Sequence, residues 1–305
     1  MNNFGYLLEH IYKHNNLNNI SDKTITDYAK RIISLVKDRD LEEYFKEPIL
    51  VIKDIELRYN KQSAISILWT VIYTLKVLNF KKEIVDEYFG YYKSFKEQKP
   101  DKFIQTIKEK SNWITMKEIK DIKEHLFTVA QQAKGPKTIQ KYQDYLVISL
   151  YTDIPPLRQD FVKCLVFDKE TEGLAIEQSH NYIFIEEKQL VLNRYKTLKK
   201  YGVKKLELPD VLIDKIKHFF ELRKQNDIDT NYLLINKRGL PASARDVFRI
   251  FERVFKKRVS VSMLRKIYIS EKYQDTKFNE MKEDAFKMGH SLNTQQNYYK
   301  KEISI

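Results

Sequence analysis

The chain has 305 residues, enough for two domains that each bury a core. Lysine and arginine number 55 against 42 acidic residues, a formal net charge of +13 that favours a polyanionic partner such as nucleic acid. A single cysteine, Cys164, excludes an internal disulfide, and only 7 glycines and 7 prolines argue against a disordered chain and for a mostly helical one.

The first half carries helical periodicity without obvious chemistry. Phe4 to Tyr12 fits one helix, and Ser21 caps a second whose apolar face is Ile25, Tyr28, Ala29, Ile32 and Val36. Gln62 to Leu78 and Glu83 to Phe95 follow. The most apolar window, Ala64 to Leu75, falls short of the roughly 18 residues a membrane span needs and reads as a buried helix. No basic-then-apolar leader precedes it, so an intracellular protein without a membrane partner is expected. The acidic pairs Asp38/Asp40 and Glu42/Glu43 read as polar helix faces. The N-terminal helical domain is placed at 1–96, a linker at 97–114 and a second domain at 115–305.

The second domain also opens with helices: Thr115 is the expected N-cap of Met116 to Leu126, and Thr138 to Tyr151 has an apolar helical face. The pattern then changes to short strands at Tyr182 to Ile185, Gln189 to Tyr195 and Lys205 to Leu208, with Lys199 to Gly202 as the turn between the last two. Helices return at Val211 to Lys224, Ala244 to Lys257, Ser260 to Tyr273, Asn279 to Met288 and near Asn293 to Lys300. The fold class expected is mainly α with a small antiparallel sheet.

Residues able to carry chemistry are spread along this second domain. Arg158 follows Pro155-Pro156-Leu157, and the ribbon from Asn193 to Leu208 contains Lys196, Lys199, Lys200, Lys204 and Lys205. Further on come Ser262-Met263-Leu264-Arg265, then Met288-Gly289-His290-Ser291, then Tyr299 nine residues beyond the histidine, with Tyr298 beside it. Gly289 suits the stop of a helix ending at Met288 and would set His290 in a loop. Arginine, histidine and tyrosine are the types needed to break a phosphodiester covalently without a metal: a phenol to attack, cations and donors to hold the phosphoryl oxygens. No zinc-spaced Cys/His cluster, glycine-rich phosphate loop or Gly-x-Ser-x-Gly elbow is present, so neither metal nor cofactor is expected.

The order Arg158, Lys196, Arg265, His290, Tyr299, on a loop, hairpin, helix, loop and tail, resembles the tyrosine recombinase (phage-integrase) family, most of all recombinases of large DNA viruses, virophages and related mobile elements. The resemblance covers about residues 115 to 305 and is weaker over the first hundred, where Lys23 to Tyr28 resembles the opening of a core-binding domain. It implies a helical core-binding domain beside a catalytic domain, and a site-specific recombinase or integrase working through a covalent 3′-phosphotyrosyl intermediate without metal or ATP. Tyr299 would be the nucleophile, with Tyr298 as the alternative. Arg158 and Arg265 would neutralise the non-bridging oxygens, Lys196 would protonate the leaving 5′ oxygen, and His290 would hydrogen-bond the phosphoryl group. Ser262 stands where the family commonly has histidine, and could donate a hydrogen bond but not act as a base. Lys199, Lys200 and Lys204 would contact the backbone of double-stranded recombination sites, and a homo-tetramer would form on DNA. Two other readings stand beside this one: a type IB topoisomerase, which shares the active-site logic, and a DNA-binding protein with a decayed active site.

Overall fold

The computed structural model describes the chain except residues 1–2, 16–19, 98–104, 136, 171–178, 274–277, 292–293 and 295–305, and the side chains of 3, 15 and 278–282. Two units, Met1–Pro100 and Asp101–Ile305, each enclose their own core.

The first unit is helical: α1 (Asn3–Asn15), α2 (Asp22–Val36), α3 (Leu41–Phe45), α4 (Pro48–Arg58), α5 (Lys61–Val77) and α6 (Lys82–Glu97). Polar caps set the starts. Ser21 accepts from the Thr24 N–H, Asp40 from the Glu43 N–H and Asn60 from the Ser63 N–H, each satisfying a donor that the helix leaves without an internal partner. Helix α5 is apolar on most of its circumference, with Leu68, Val71 and Leu75 fully buried, and so takes the central position. It contains the Ala64 to Leu75 window, and none of the described helices is long and apolar enough to cross a membrane.

The second unit comprises α7 (Ile107–Asn112), α8 (Met116–Gln132), α9 (Lys137–Leu150), β1 (Leu165–Phe167), β2 (Tyr182–Phe184), β3 (Gln189–Leu192), α10 (Leu198–Tyr201), β4 (Lys204–Glu207), α11 (Asp210–Lys224), α12 (Ala244–Phe255), α13 (Val261–Lys272) and α14 (Phe278–Lys287). Helix α9 is buried from Tyr142 to Leu150 and packs against α8, α11 and α12. The strands form one sheet in the order β1-β2-β3-β4. Strand alternation divides its residues: Ile183, Leu190 and Leu192 join the main core, whereas Tyr182, Phe184 and Val191 pack with Leu165 and Phe167 on the other face.

The mainly α class with a small sheet holds, and the structure adjusts its details. The sheet is mixed, because β1 joins parallel to β2 while the remaining pairs are antiparallel. Strand β3 stops at Leu192 instead of continuing to Tyr195: the Arg194 N–H donates to the Asn181 side chain at 2.7 Å, which draws the chain out of the ladder. The expected turn at Lys199 to Gly202 contains the helical turn α10, closed by Gly202 at φ +66. The expected linker contains α7, which a Thr106/Glu109 capping box starts. Helix α3 carries the Glu42/Glu43 pair with Asp40 as its cap, and α4, opened by Pro48, is an element for which the sequence reading places none.

Candidate active site

The site is organised by the turn that ends α14. The Gly289 N–H donates to the Phe286 carbonyl at 3.1 Å and the His290 N–H to the Ala285 carbonyl at 3.0 Å, with Gly289 at φ +68. This paired arrangement is a Schellman stop, which needs a left-handed residue at the position glycine occupies. It turns the chain so sharply that the Met288 and Gly289 carbonyls become acceptors for side chains from elsewhere.

Arg265, on α13, is 1% exposed. Its Nη1 donates to the Pro156 carbonyl at 2.7 Å, and Nη1 and Nη2 reach the Met288 carbonyl at 3.4 and 3.3 Å. Nη2 also donates to Nδ1 of His290, itself buried. Arg158 uses the next carbonyl: its Nη1 donates to Gly289 at 3.1 Å. The Arg158 backbone is held at both ends, its N–H donating to Asp160 Oδ2 at 3.2 Å and its carbonyl accepting from the buried Tyr151 hydroxyl at 2.9 Å. Burial raises the Asp160 carboxyl above its ordinary value, against the opposing pull of the Arg158 N–H and of the Arg158 and Arg265 charges. The structure therefore brings Arg158, Arg265 and His290 around one turn.

The hairpin joins the same turn. Thr197 donates through Oγ1 to the Gly289 carbonyl at 2.8 Å, sharing that acceptor with Arg158. Lys196, the residue before it, is exposed, as are Lys199 and Lys200, the last lying 5.1 Å from the Tyr201 ring centroid. Lys204 departs from the expectation of a DNA-facing side chain. It is 4% exposed, and its ammonium donates to the Phe286 carbonyl among aromatic rings, so it is not presented to a duplex. Ser262 is exposed on the first turn of α13, three residues before Arg265, and is not drawn into the hydrogen-bonded cluster. Tyr299 and Tyr298 lie outside the described residues.

Several positioning side chains went unread in the sequence. Asn181 donates to the Asp160 carbonyl at 2.8 Å and the Arg194 carbonyl at 3.1 Å, tying the Arg158 loop to the exit of β3. Asp284 on α14 accepts from Tyr268 at 2.9 Å and Lys272 at 2.5 Å, and also from Tyr273, so α14 is anchored to the segment that carries Arg265. Buried Met288 packs with Ile269 and Tyr273 beside them. Asp284 falls at a helical spacing that a polar face would share, and Asn181 stands alone before a strand; neither has a sequence signature. Among the described residues no group of three or more His, Cys, Asp or Glu could hold a metal ion.

No family model matches this chain, and no curated protein matches it. Among solved structures it is similar to that of XerA recombinase, at 15% identity over 98% of this chain and 94% of that one, with a TM-score of 0.43. It is also similar to XerH site-specific recombinase bound to difH substrate in a pre-cleavage complex, at 12% identity over 99% of this chain and 91% of that one, with a TM-score of 0.45.

Proposed function

We propose that this chain is a site-specific DNA recombinase of the tyrosine type. The observation that carries the reading is the convergence of Arg158 and Arg265, distant in sequence, on the consecutive carbonyls of Gly289 and Met288 beside His290. Burying a guanidinium is costly unless its donors are paired, and here the Pro156 and Met288 carbonyls and the His290 ring take the Nη1 and Nη2 donors of Arg265. Such an array holds positive charge at one place without reorganising, the requirement for stabilising a pentacoordinate phosphoryl transition state. The net charge of +13 suits a duplex partner.

In this reading the Tyr299 hydroxyl attacks the scissile phosphorus. The bond from tyrosine oxygen to phosphorus forms, the bond from phosphorus to the 5′ oxygen breaks, and the phenolic proton passes to solvent. Lys196, exposed on the hairpin, gives a proton to the departing 5′ oxygen. Because arginine has no acceptor, His290 must accept at Nδ1, which leaves its ring proton on Nε2 as a donor for a phosphoryl oxygen. Attack by the 5′-hydroxyl of a partner strand reverses the chemistry and restores the tyrosine. The phosphotyrosyl ester keeps the bond energy, so ATP is not consumed. Exchange between two duplexes engages four such tyrosines, hence a tetramer on DNA. The relationship to elements of large DNA viruses and virophages belongs to the same proposal.

The test is covalent capture in EDTA on nicked duplexes taken from the ends of the parent element, comparing wild type with Tyr299→Phe, Tyr298→Phe and Arg265→Ala. An adduct lost in Tyr299→Phe and Arg265→Ala but kept in Tyr298→Phe is the expected result. Loss in Tyr298→Phe alone moves the nucleophile by one residue. Supercoil relaxation without recombinant product would favour the topoisomerase reading, and tight binding with no adduct would favour the decayed site.

A further inference from the structure

We propose that Lys204 is a positioning residue that clamps the 193–203 hairpin onto the C-terminal turn of α14, so that Lys196 and His290 are set in place together. This rests on the recombinase reading above.

The starting observation is a lysine where its neighbours face water. Val203 is exposed and Lys205 reaches out to Glu170, yet Lys204 between them is buried. Its ammonium donates to the Phe286 carbonyl and lies 4.0 Å from the Phe286 ring centroid, 5.0 Å from that of Tyr201 and 5.9 Å from that of Tyr195. Phe286 comes from α14, and Tyr195 and Tyr201 both come from the hairpin, the latter on its turn α10, so one cation bridges the hairpin and α14. No carboxylate partners it among the described residues, and burial lowers its affinity for the proton. Ring faces and the negative end of the α14 dipole supply the compensating potential instead.

Packing alone does not account for this choice. A methionine would fill the same cage without desolvating a charge. What the ammonium adds is a directed bond to Phe286, the same carbonyl that accepts from Gly289 and so defines the turn. The other arm of the hairpin makes the matching bond, Thr197 to the Gly289 carbonyl. Tyr195 closes the ribbon on itself by donating to the Gly202 carbonyl at 2.7 Å. The hairpin thus grips the turn at Phe286 and at Gly289. Lys196 and His290 both flank the Thr197–Gly289 grip, next in the chain to Thr197 and to Gly289, and the Lys204–Phe286 grip holds the other arm of the hairpin to the same turn. A lysine on a loop loses proton-transfer efficiency quickly when misplaced, because displacements near 1 Å can cost on the order of a hundredfold.

The experiment compares full-length wild type with Lys204→Met, Lys204→Arg and Thr197→Val. Thr197→Val is included because it breaks the second grip without altering a buried charge. Hydrogen exchange of the DNA-free proteins is read at 193–203 and 287–290, and single-turnover adduct formation and duplex Kd are read in parallel. The expected result is faster exchange in both segments for Lys204→Met and Thr197→Val. Adduct formation should slow about tenfold or more while Kd stays within about twofold, and Lys204→Arg should recover most of the rate. Unchanged exchange in both variants overturns the clamp. Faster exchange with a wild-type cleavage rate overturns its catalytic purpose. A weaker Kd with a shallower salt dependence in Lys204→Met would make Lys204 a phosphate contact and overturn the proposal. If wild type forms no adduct, the recombinase reading fails, and the exchange comparison still decides the clamp.

Discussion

Nη2 of Arg265 donates to Nδ1 of His290, and the same nitrogen reaches the Met288 carbonyl at 3.3 Å. One guanidinium therefore sets the tautomer of the histidine and the path of the backbone that carries it. Nη1 of that guanidinium donates to Pro156, two residues before Arg158, so the group also touches the loop of the other arginine.

This predicts that Arg265→Lys is not conservative. A lysine ammonium is a point donor and cannot serve Pro156, Met288 and His290 at once as a planar fork does. Single-turnover adduct formation should fall by about a hundred- to a thousandfold, the range typical of losing a preorganised donor. Cleavage at the wild-type rate by the Arg265→Lys variant would show that the fork is unnecessary.

Gly289 should tolerate asparagine better than alanine. Its φ of +68 is left-handed, whereas an added Cβ would meet Tyr195 at 3.5 Å, an ordinary contact. Backbone strain rather than collision then sets the penalty, about 1–2 kcal/mol for Gly289→Ala and less for Gly289→Asn, whose side chain suits that region. Urea melts of the two variants would measure the difference; equal losses would point to the Tyr195 contact instead.

A structural pair away from the site gives a stability test. Arg253 on α12 donates through Nε to Asp144 at 3.0 Å and through Nη2 to its other oxygen, and Asp144 on α9 is 2% exposed. Arg253→Met leaves that carboxylate buried and unpaired and should destabilise the chain by about 3 kcal/mol. Replacing both, as Asp144→Leu with Arg253→Met, should recover much of the loss, because no buried charge remains. A double variant no more stable than the single one would show that packing, not charge, dominates there.

Asp160 predicts a pH dependence. Burial raises its folded-state value above 3.8, so the stability it contributes is fully present below 3.8 and is lost as pH rises through the folded value. Asp160→Asn keeps an acceptor for the Arg158 N–H and removes the ionisation. The variant should gain stability relative to wild type as pH increases from 3.8 toward neutrality. Denaturant melts across that interval check the sign; a relative loss at neutral pH would mean that the carboxylate charge stabilises Arg158.

The sequence alone was enough for much of the helical frame, because helix faces and caps are local: Ser21, Thr115 and the Gly289 stop are each legible within a few residues. It also put Arg158, Arg265 and His290 forward, since their residue types suit phosphodiester chemistry and their order resembles a known family. Only the tertiary structure decided what those side chains touch. Strand β1 needed β2 for its hydrogen bonds, and its three residues carry too little periodicity to declare themselves. Lys204 and Lys205 are neighbours of the same type, yet one is buried on a helix-end carbonyl and the other faces Glu170. That division follows from strand alternation, which turns the Lys204 side chain to the end of α14 and Lys205 the other way, a relation between distant segments that no local pattern records. The same holds for the turn at 286–290: its glycine is local, but the cations that gather on its carbonyls arrive from three other elements, and long-range packing alone brings them there.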